Sequence, residues 1–168
     1  MTHPDISIIV EQLAELLLKQ QEKIAVAESC TGGWIAKVLT DLSGSSEWFD
    51  RGFVTYSNKA KHEMLGVADS TLQHYGAVSQ QTVQEMALGV LNNSDADYSL
   101  SISGIAGPGG GTKEKPVGLV WFAWAVNENN ANKILNAKEK IFAGDRNAVR
   151  EQAVFFALNE LVEFIKLK

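Results

Sequence analysis

The sequence predicts an α/β fold: one three-layer α/β/α sandwich with a mixed parallel/antiparallel sheet, formed by residues 1–168 as a single domain. Three observations lead there. Over roughly the first hundred residues, short apolar runs alternate with amphipathic helical segments, and each apolar run closes on a polar turn. Two longer strand-like runs then flank the turn-rich NENN at 127–130, the pattern of an antiparallel hairpin. The length of 168 residues suits one hydrophobic core, and the chain carries neither an internal repeat nor a linker.

The elements follow in order. Ile6, Ile9, Val10, Leu13, Leu16 and Leu17 recur at helical spacing and predict an opening amphipathic helix. KIAVA (23–27) is a short buried strand, followed by the turn ESCTGG and a helix over 34–42. A Ser/Gly loop, SGSS, leads into RGFVTYS, the second strand. Ser57 caps a helix over NKAKHEML that breaks at Gly66, a further short helix covers 69–75, and Ser79 caps the helix QQTVQEMALGVLNN. YSLSIS (98–103) is the third strand and closes on GIAGPGGGT. VGLVWFAWAV and ANKILNAKEKIFA are the hairpin arms, although NAKEK has the composition to continue a helix. Asp145 caps the final helix, with Val149, Ala153, Phe156, Leu158, Val162 and Ile165 on or near its apolar face.

Composition sets limits on function. Twenty acidic against fifteen basic residues leave a formal charge of −5, which argues against a broad nucleic-acid footprint. One cysteine excludes an internal disulfide framework and fits a reducing compartment. No run approaches the roughly 18 apolar residues of a membrane span. The first twenty residues carry acids and lack a basic start or small-residue cleavage site, so no secretory signal is expected. The expectation is a soluble, cytoplasmic protein without membrane partners.

In α/β sheets, ligands sit beyond the carboxyl ends of the strands. That rule gathers ESCTGG, TYSNKAK and SGIAGPGGGT at one edge. Ser29 stands just past a buried strand, with Thr31, Gly32 and Gly33 opening the next helix. Their backbone amides suit a phosphate, a carboxylate or the oxyanion of acyl transfer, and suit a plain capping turn equally well. Cys30 is the competing nucleophile, but successive side chains leaving a strand face opposite ways, so only one of Ser29 and Cys30 faces the cleft. Cys30 reads as a small packing residue. Lys61, early in the helix after the second strand, meets Ser29 if the first two strands are neighbours. Desolvation would then lower its pKa towards that of a useful base. A lone lysine is otherwise usually a solvated one. His3, His62 and His74 are scattered and form no metal-ligand spacing, so no metal is expected.

The glycine loop lacks the Gly-Lys-Ser/Thr of a P-loop, since Lys113 is followed by Glu114. Gly104 to Gly107 offer backbone contacts to a ligand, or form a mobile loop. Arg146 opens the last helix and, with Arg150 four residues on, offers a phosphate clamp, whereas a solvated Arg150 balanced by acids is the plainer reading. Tyr56 and Trp48 flank the second strand and are candidates for stacking on a flat ring, although core packing explains Trp48 equally.

ESCTGG, the TYSNKAK segment and SGIAGPGGG, together with GAVSQQTVQEMA and FAGDRNAVR, closely resemble the CinA C-terminal-domain family over about residues 5–165. Members include stand-alone nicotinamide-nucleotide amidases, and longer members carry an N-terminal molybdopterin-binding-like domain that this chain is expected to lack. The resemblance implies hydrolysis of nicotinamide mononucleotide to nicotinic acid mononucleotide and ammonia in pyridine-nucleotide salvage. It implies Ser29 as nucleophile and Lys61 as base, acting through an acyl-enzyme, with amides near Thr31 to Gly33 holding the oxyanion. Tyr56 is expected to orient Lys61 or touch the ring. Cys30, Gly104 and Ile105 are expected to line the nucleotide site, and Arg146 to meet the phosphate, from the same or a second subunit. No cofactor is implied. A homodimer is, with VGLVWFAWAV as an available contact surface. The competing expectation is a non-catalytic nucleotide-binding or regulatory module tied to competence or DNA damage, and a third keeps the amidase chemistry on another small amide.

Overall fold

A computed structural model describes residues 4–168; residues 1–3, His3 among them, lie outside the described part. The chain runs α1 (Pro4–Gln20), β1 (Ile24–Glu28), α2 (Trp34–Thr40), β2 (Phe49–Val54), α3 (Asn58–Leu65), α4 (Asp69–Tyr75), α5 (Gln80–Asn92), β3 (Tyr98–Gly104), β4 (Leu119–Glu128), β5 (Ala131–Ile141) and α6 (Arg146–Lys166). The SGSS loop tightens into a 3₁₀ turn over Ser45–Glu47.

The five strands form one sheet in the order β2-β1-β3-β4-β5. β1 pairs parallel with β2 and β3, whereas β3–β4 and β4–β5 are antiparallel, so the sheet is mixed. The hairpin's second arm is a strand from Ala131 to Ile141, including NAKEK. Pairing with β4 along its whole length overrides the helical propensity of Ala, Lys and Glu there.

Side-chain alternation divides β1 between two cores. Ile24 and Val26 pack with α1, α2 and α6 on one face of the sheet. Ala25 and Ala27 pack with α3, α4 and α5 on the other, where alanine leaves room for the helices to approach. The result is a three-layer sandwich. Three predicted caps are made: Ser57, Ser79 and Asp145 accept hydrogen bonds from the amides of Ala60, Thr82 and Ala148.

The apolar arm VGLVWFAWAV does not provide a contact surface. β4 lies inside the sheet between β3 and β5, and Val120, Phe122, Ala123, Trp124, Ala125 and Val126 are fully buried. Trp124 is a core residue whose indole N–H donates to the Ala157 carbonyl at 3.0 Å. Trp48 is likewise core, at 1% exposure, and cannot stack on a ligand.

Candidate active site

β1 ends at Glu28, and the alternation carries on into the turn: Ser29 falls on the α3 side and Cys30 on the α6 side. Glu28 is the one charged residue of an otherwise apolar strand. Its buried carboxylate accepts hydrogen bonds from the amides of Gly33 (3.1 Å), Ile35 (3.0 Å) and Ala36 (2.8 Å), satisfying the start of α2. Gly32 and Gly33 both take positive φ, +61° and +97°, which turns the chain from strand to helix within a few residues. The Gly32 amide donates to the Ser29 carbonyl at 3.1 Å.

These contacts revise the expected anion cradle. The Gly32 and Gly33 amides are already engaged, and a carboxylate of the protein itself sits at the helix start. The Thr31 amide, in contrast, donates to no acceptor among the described residues.

β2 runs beside β1, and the helix that follows it, α3, carries Lys61. Ser57 Oγ caps α3 and sets the helix phase, so Lys61 descends towards the sheet while Lys59 points out to pair with Glu63. Lys61 is 1% exposed, and its Nζ donates to Ser29 Oγ at 2.9 Å and to the Thr55 carbonyl at 2.8 Å. Burial lowers its pKa from an ordinary 10.5 to about 8, because water no longer stabilises the ammonium. Close to neutrality, a useful fraction of Lys61 is therefore an uncharged amine in contact with a hydroxyl. The hydroxyls of Thr31 and Thr55 are buried and have no hydrogen-bond partner among the described residues.

Cys30 is packed among the side chains of the α6 layer, and burial pushes its thiol up to about 12. That leaves it a neutral, unreactive thiol in the physiological range.

The remaining predicted residues divide. Tyr56 is 60% exposed and makes no hydrogen bond to Lys61; the Thr55 carbonyl holds the amine instead. The Tyr56 hydroxyl accepts from Arg146 Nη2 at 3.1 Å, and Arg146 Nη1 donates to the Gly107 carbonyl at 2.9 Å. Tyr56, Arg146 and the glycine loop thus meet at one rim within a single subunit. Gly104 ends β3 at a close approach to β4: a Cβ there would lie 2.8 Å from the Leu119 carbonyl oxygen. The amide and carbonyl of Ile105 are both bonded to the start of β4, so only its side chain is free for a ligand. His62 and His74 bond backbone carbonyls of Val67 and Ser70, away from Ser29.

The roles of two residues escaped the sequence reading. Glu28 had a signal, a lone acid closing a buried run. Arg150, weighed as a phosphate clamp with Arg146 and more plainly as a solvated residue, instead donates to the carbonyls of Cys30 (3.1 Å) and Thr31 (2.8 Å) and lies over the Trp34 ring at 5.3 Å. Nothing local in the sequence announces a contact spanning 120 residues.

Comparison with known proteins adds an independent line. The chain is 62% identical over 144 residues to the nicotinamide-nucleotide amidohydrolase PncC of Enterobacter agglomerans, covering 85% of each chain. It is 52% identical over 161 residues to the protein of that name from Escherichia coli K12, covering 96% of this chain and 95% of that one. The crystal structure of the competence/damage inducible protein CihA from Agrobacterium tumefaciens matches with a TM-score of 0.92 at 42% identity, covering 97% of both chains. The CinA C-terminal domain matches residues 7–165, nearly the whole sequence. On the strength of that match and of these relatives, the chain belongs to the CinA C-terminal domain family.

Proposed function

We propose that this chain is a nicotinamide-nucleotide amidohydrolase that converts nicotinamide mononucleotide to nicotinic acid mononucleotide and ammonia through a Ser29–Lys61 dyad. The observation that carries the reading is the buried 2.9 Å contact between Lys61 Nζ and Ser29 Oγ, in a chain 62% and 52% identical to two proteins named nicotinamide-nucleotide amidohydrolase.

Neutral Lys61 accepts the Ser29 proton as Oγ attacks the carboxamide carbon, giving a tetrahedral oxyanion and a lysine ammonium. The Thr31 amide, unengaged by the protein, donates to that oxyanion. Collapse breaks the C–N bond, Lys61 returns the proton to the departing nitrogen, and ammonia leaves an ester on Ser29. Water then attacks the ester with Lys61 again as base, releasing the acid and regenerating the hydroxyl. The chemistry asks for no metal or organic cofactor.

Arg146 is the phosphate contact. Its two engaged N–H groups leave three of the five guanidinium donors for an anion, and it sits exposed at the rim. Exposed Tyr56 contacts the pyridine ring, and Gly104 with the Ile105 side chain lines the nucleotide. The same reading places the protein in the cytoplasm as a homodimer, without nucleic-acid or membrane partners; no helix among the described residues is long and apolar enough to cross a membrane.

The test is ammonia release from nicotinamide mononucleotide by wild type, Ser29→Ala and Lys61→Ala, with folding checked by circular dichroism. The expected result is turnover by wild type and a fall of about 10²–10⁴-fold or more in each folded variant. An active Ser29→Ala removes Ser29 as nucleophile, and an inactive wild type removes the amidase reading in favour of a nucleotide-binding module.

A further inference from the structure

We propose that Arg150 is a positioning residue for catalysis, gripping the peptide after the nucleophile so that the Thr31 N–H faces the carbonyl oxygen under attack. The inference rests on the amidase reading and assigns the part of the site that holds the oxyanion.

In a trans peptide the C=O and the following N–H point in opposite directions. Arg150 belongs to α6, whose apolar side packs on one face of the sheet, and Lys61 belongs to α3 on the other. Arg150 Nε takes the Cys30 carbonyl from the α6 side, so the Thr31 N–H of that same peptide is turned towards the side where Ser29 and Lys61 meet. Nη2 takes the next carbonyl, that of Thr31, and fixes the plane of the second peptide as well. The guanidinium is itself held by stacking over Trp34, the first residue of α2.

Around this peptide three amides are occupied: Ser29 N–H by the Ile102 carbonyl, Gly32 N–H by the Ser29 carbonyl and Gly33 N–H by Glu28. Thr31 N–H is left with no acceptor among the described residues, and Arg150 holds it in that orientation before substrate arrives. Lysine cannot replace the grip. One ammonium on a flexible stem lacks the rigid fork that reaches two adjacent carbonyls and lies flat on an indole.

The experiment is steady-state ammonia release from nicotinamide mononucleotide by Arg150→Lys, Arg150→Met and Arg150→Gly, the last with and without added guanidinium chloride at non-denaturing concentration. Each rate is taken per folded enzyme. The expected result is a fall in kcat of about 100-fold, with KM within threefold and the midpoint of the pH profile unmoved, because Lys61 is untouched. Guanidinium should restore Arg150→Gly at least tenfold and leave Ser29→Ala inactive. A merely structural arginine would lower the melting temperature without this split and without rescue. The proposal is overturned if the folded variants keep kcat within threefold of wild type, if the loss falls on KM alone, or if the pH midpoint moves with the rate. Should Arg150→Met fail to fold, Arg150→Lys and the rescued glycine variant decide the matter. An inactive wild type defeats the amidase reading itself, whereas an active wild type with active Arg150 variants defeats only this inference.

Discussion

Replacing Lys61 with methionine should change how stability depends on pH, and the size of the change follows from burial. The folded protein holds the Lys61 pKa near 8, against 10.5 for the ordinary side chain. Well below pH 8 both folded and unfolded chains carry the proton, and the folded state bears a constant penalty of about 3 kcal/mol. Between pH 8 and 10.5 the unfolded chain binds more protons than the folded one, so wild-type stability rises with pH. Going from pH 7 to pH 9.5 recovers about 2 kcal/mol of that penalty. Methionine has nearly the same length and no proton to lose, so the variant lacks this rise. Urea unfolding of both proteins at the two pH values isolates it: the stability difference between wild type and Lys61→Met should shift by about 2 kcal/mol in favour of wild type at the higher pH. The unpaired Thr55 carbonyl left in the variant displaces its curve equally at every pH and cancels from the comparison. Parallel curves would show that Lys61 keeps an ordinary pKa and supplies no neutral base near pH 7.

The same pKa governs activity: kcat/KM should rise about tenfold per pH unit through acid and neutral pH and level off above about pH 8, and a profile flat from pH 6 to 8 would contradict it. Cys30→Ala should retain activity within a few-fold, and in the native enzyme the thiol should resist Ellman's reagent until denaturant is added, since it is buried and held near 12; rapid native labelling would refute this. Glu28→Gln should lower stability by about 2–3 kcal/mol, because an amide NH₂ replaces one of the two oxygens that accept the Gly33, Ile35 and Ala36 amides. Urea unfolding checks it, and an unchanged midpoint would show that those bonds stabilise nothing.

Much of the architecture was legible because local chemistry and tertiary structure agree. Ser57, Ser79 and Asp145 cap the helices that their positions announce. The alternation through KIAVAESC already separates Ser29 from Cys30, and the parallel pairing of β1 with β2 then brings Lys61 over Ser29. β5 was ambiguous because its Ala, Lys and Glu residues favour helix, and only pairing along β4 decides for strand. The supporting contacts were hidden for a different reason. The Tyr56–Arg146 bond spans 90 residues and the Arg150–Cys30 bond spans 120, so both depend on α6 returning to the open ends of β1 and β2. Glu28 lay in plain view, yet the motif that drew attention to its neighbours also disguised it as part of a polar turn.

The central claim, covalent catalysis on Ser29, is tested most directly by rapid-quench mass spectrometry of wild type mixed with nicotinamide mononucleotide, followed by peptide mapping. The account predicts an acyl adduct on Ser29 that forms as ammonia appears, is absent from Ser29→Ala, and yields a hydroxamate when hydroxylamine is present. An adduct on Cys30, or full turnover with neither adduct nor hydroxamate at any time, would contradict it.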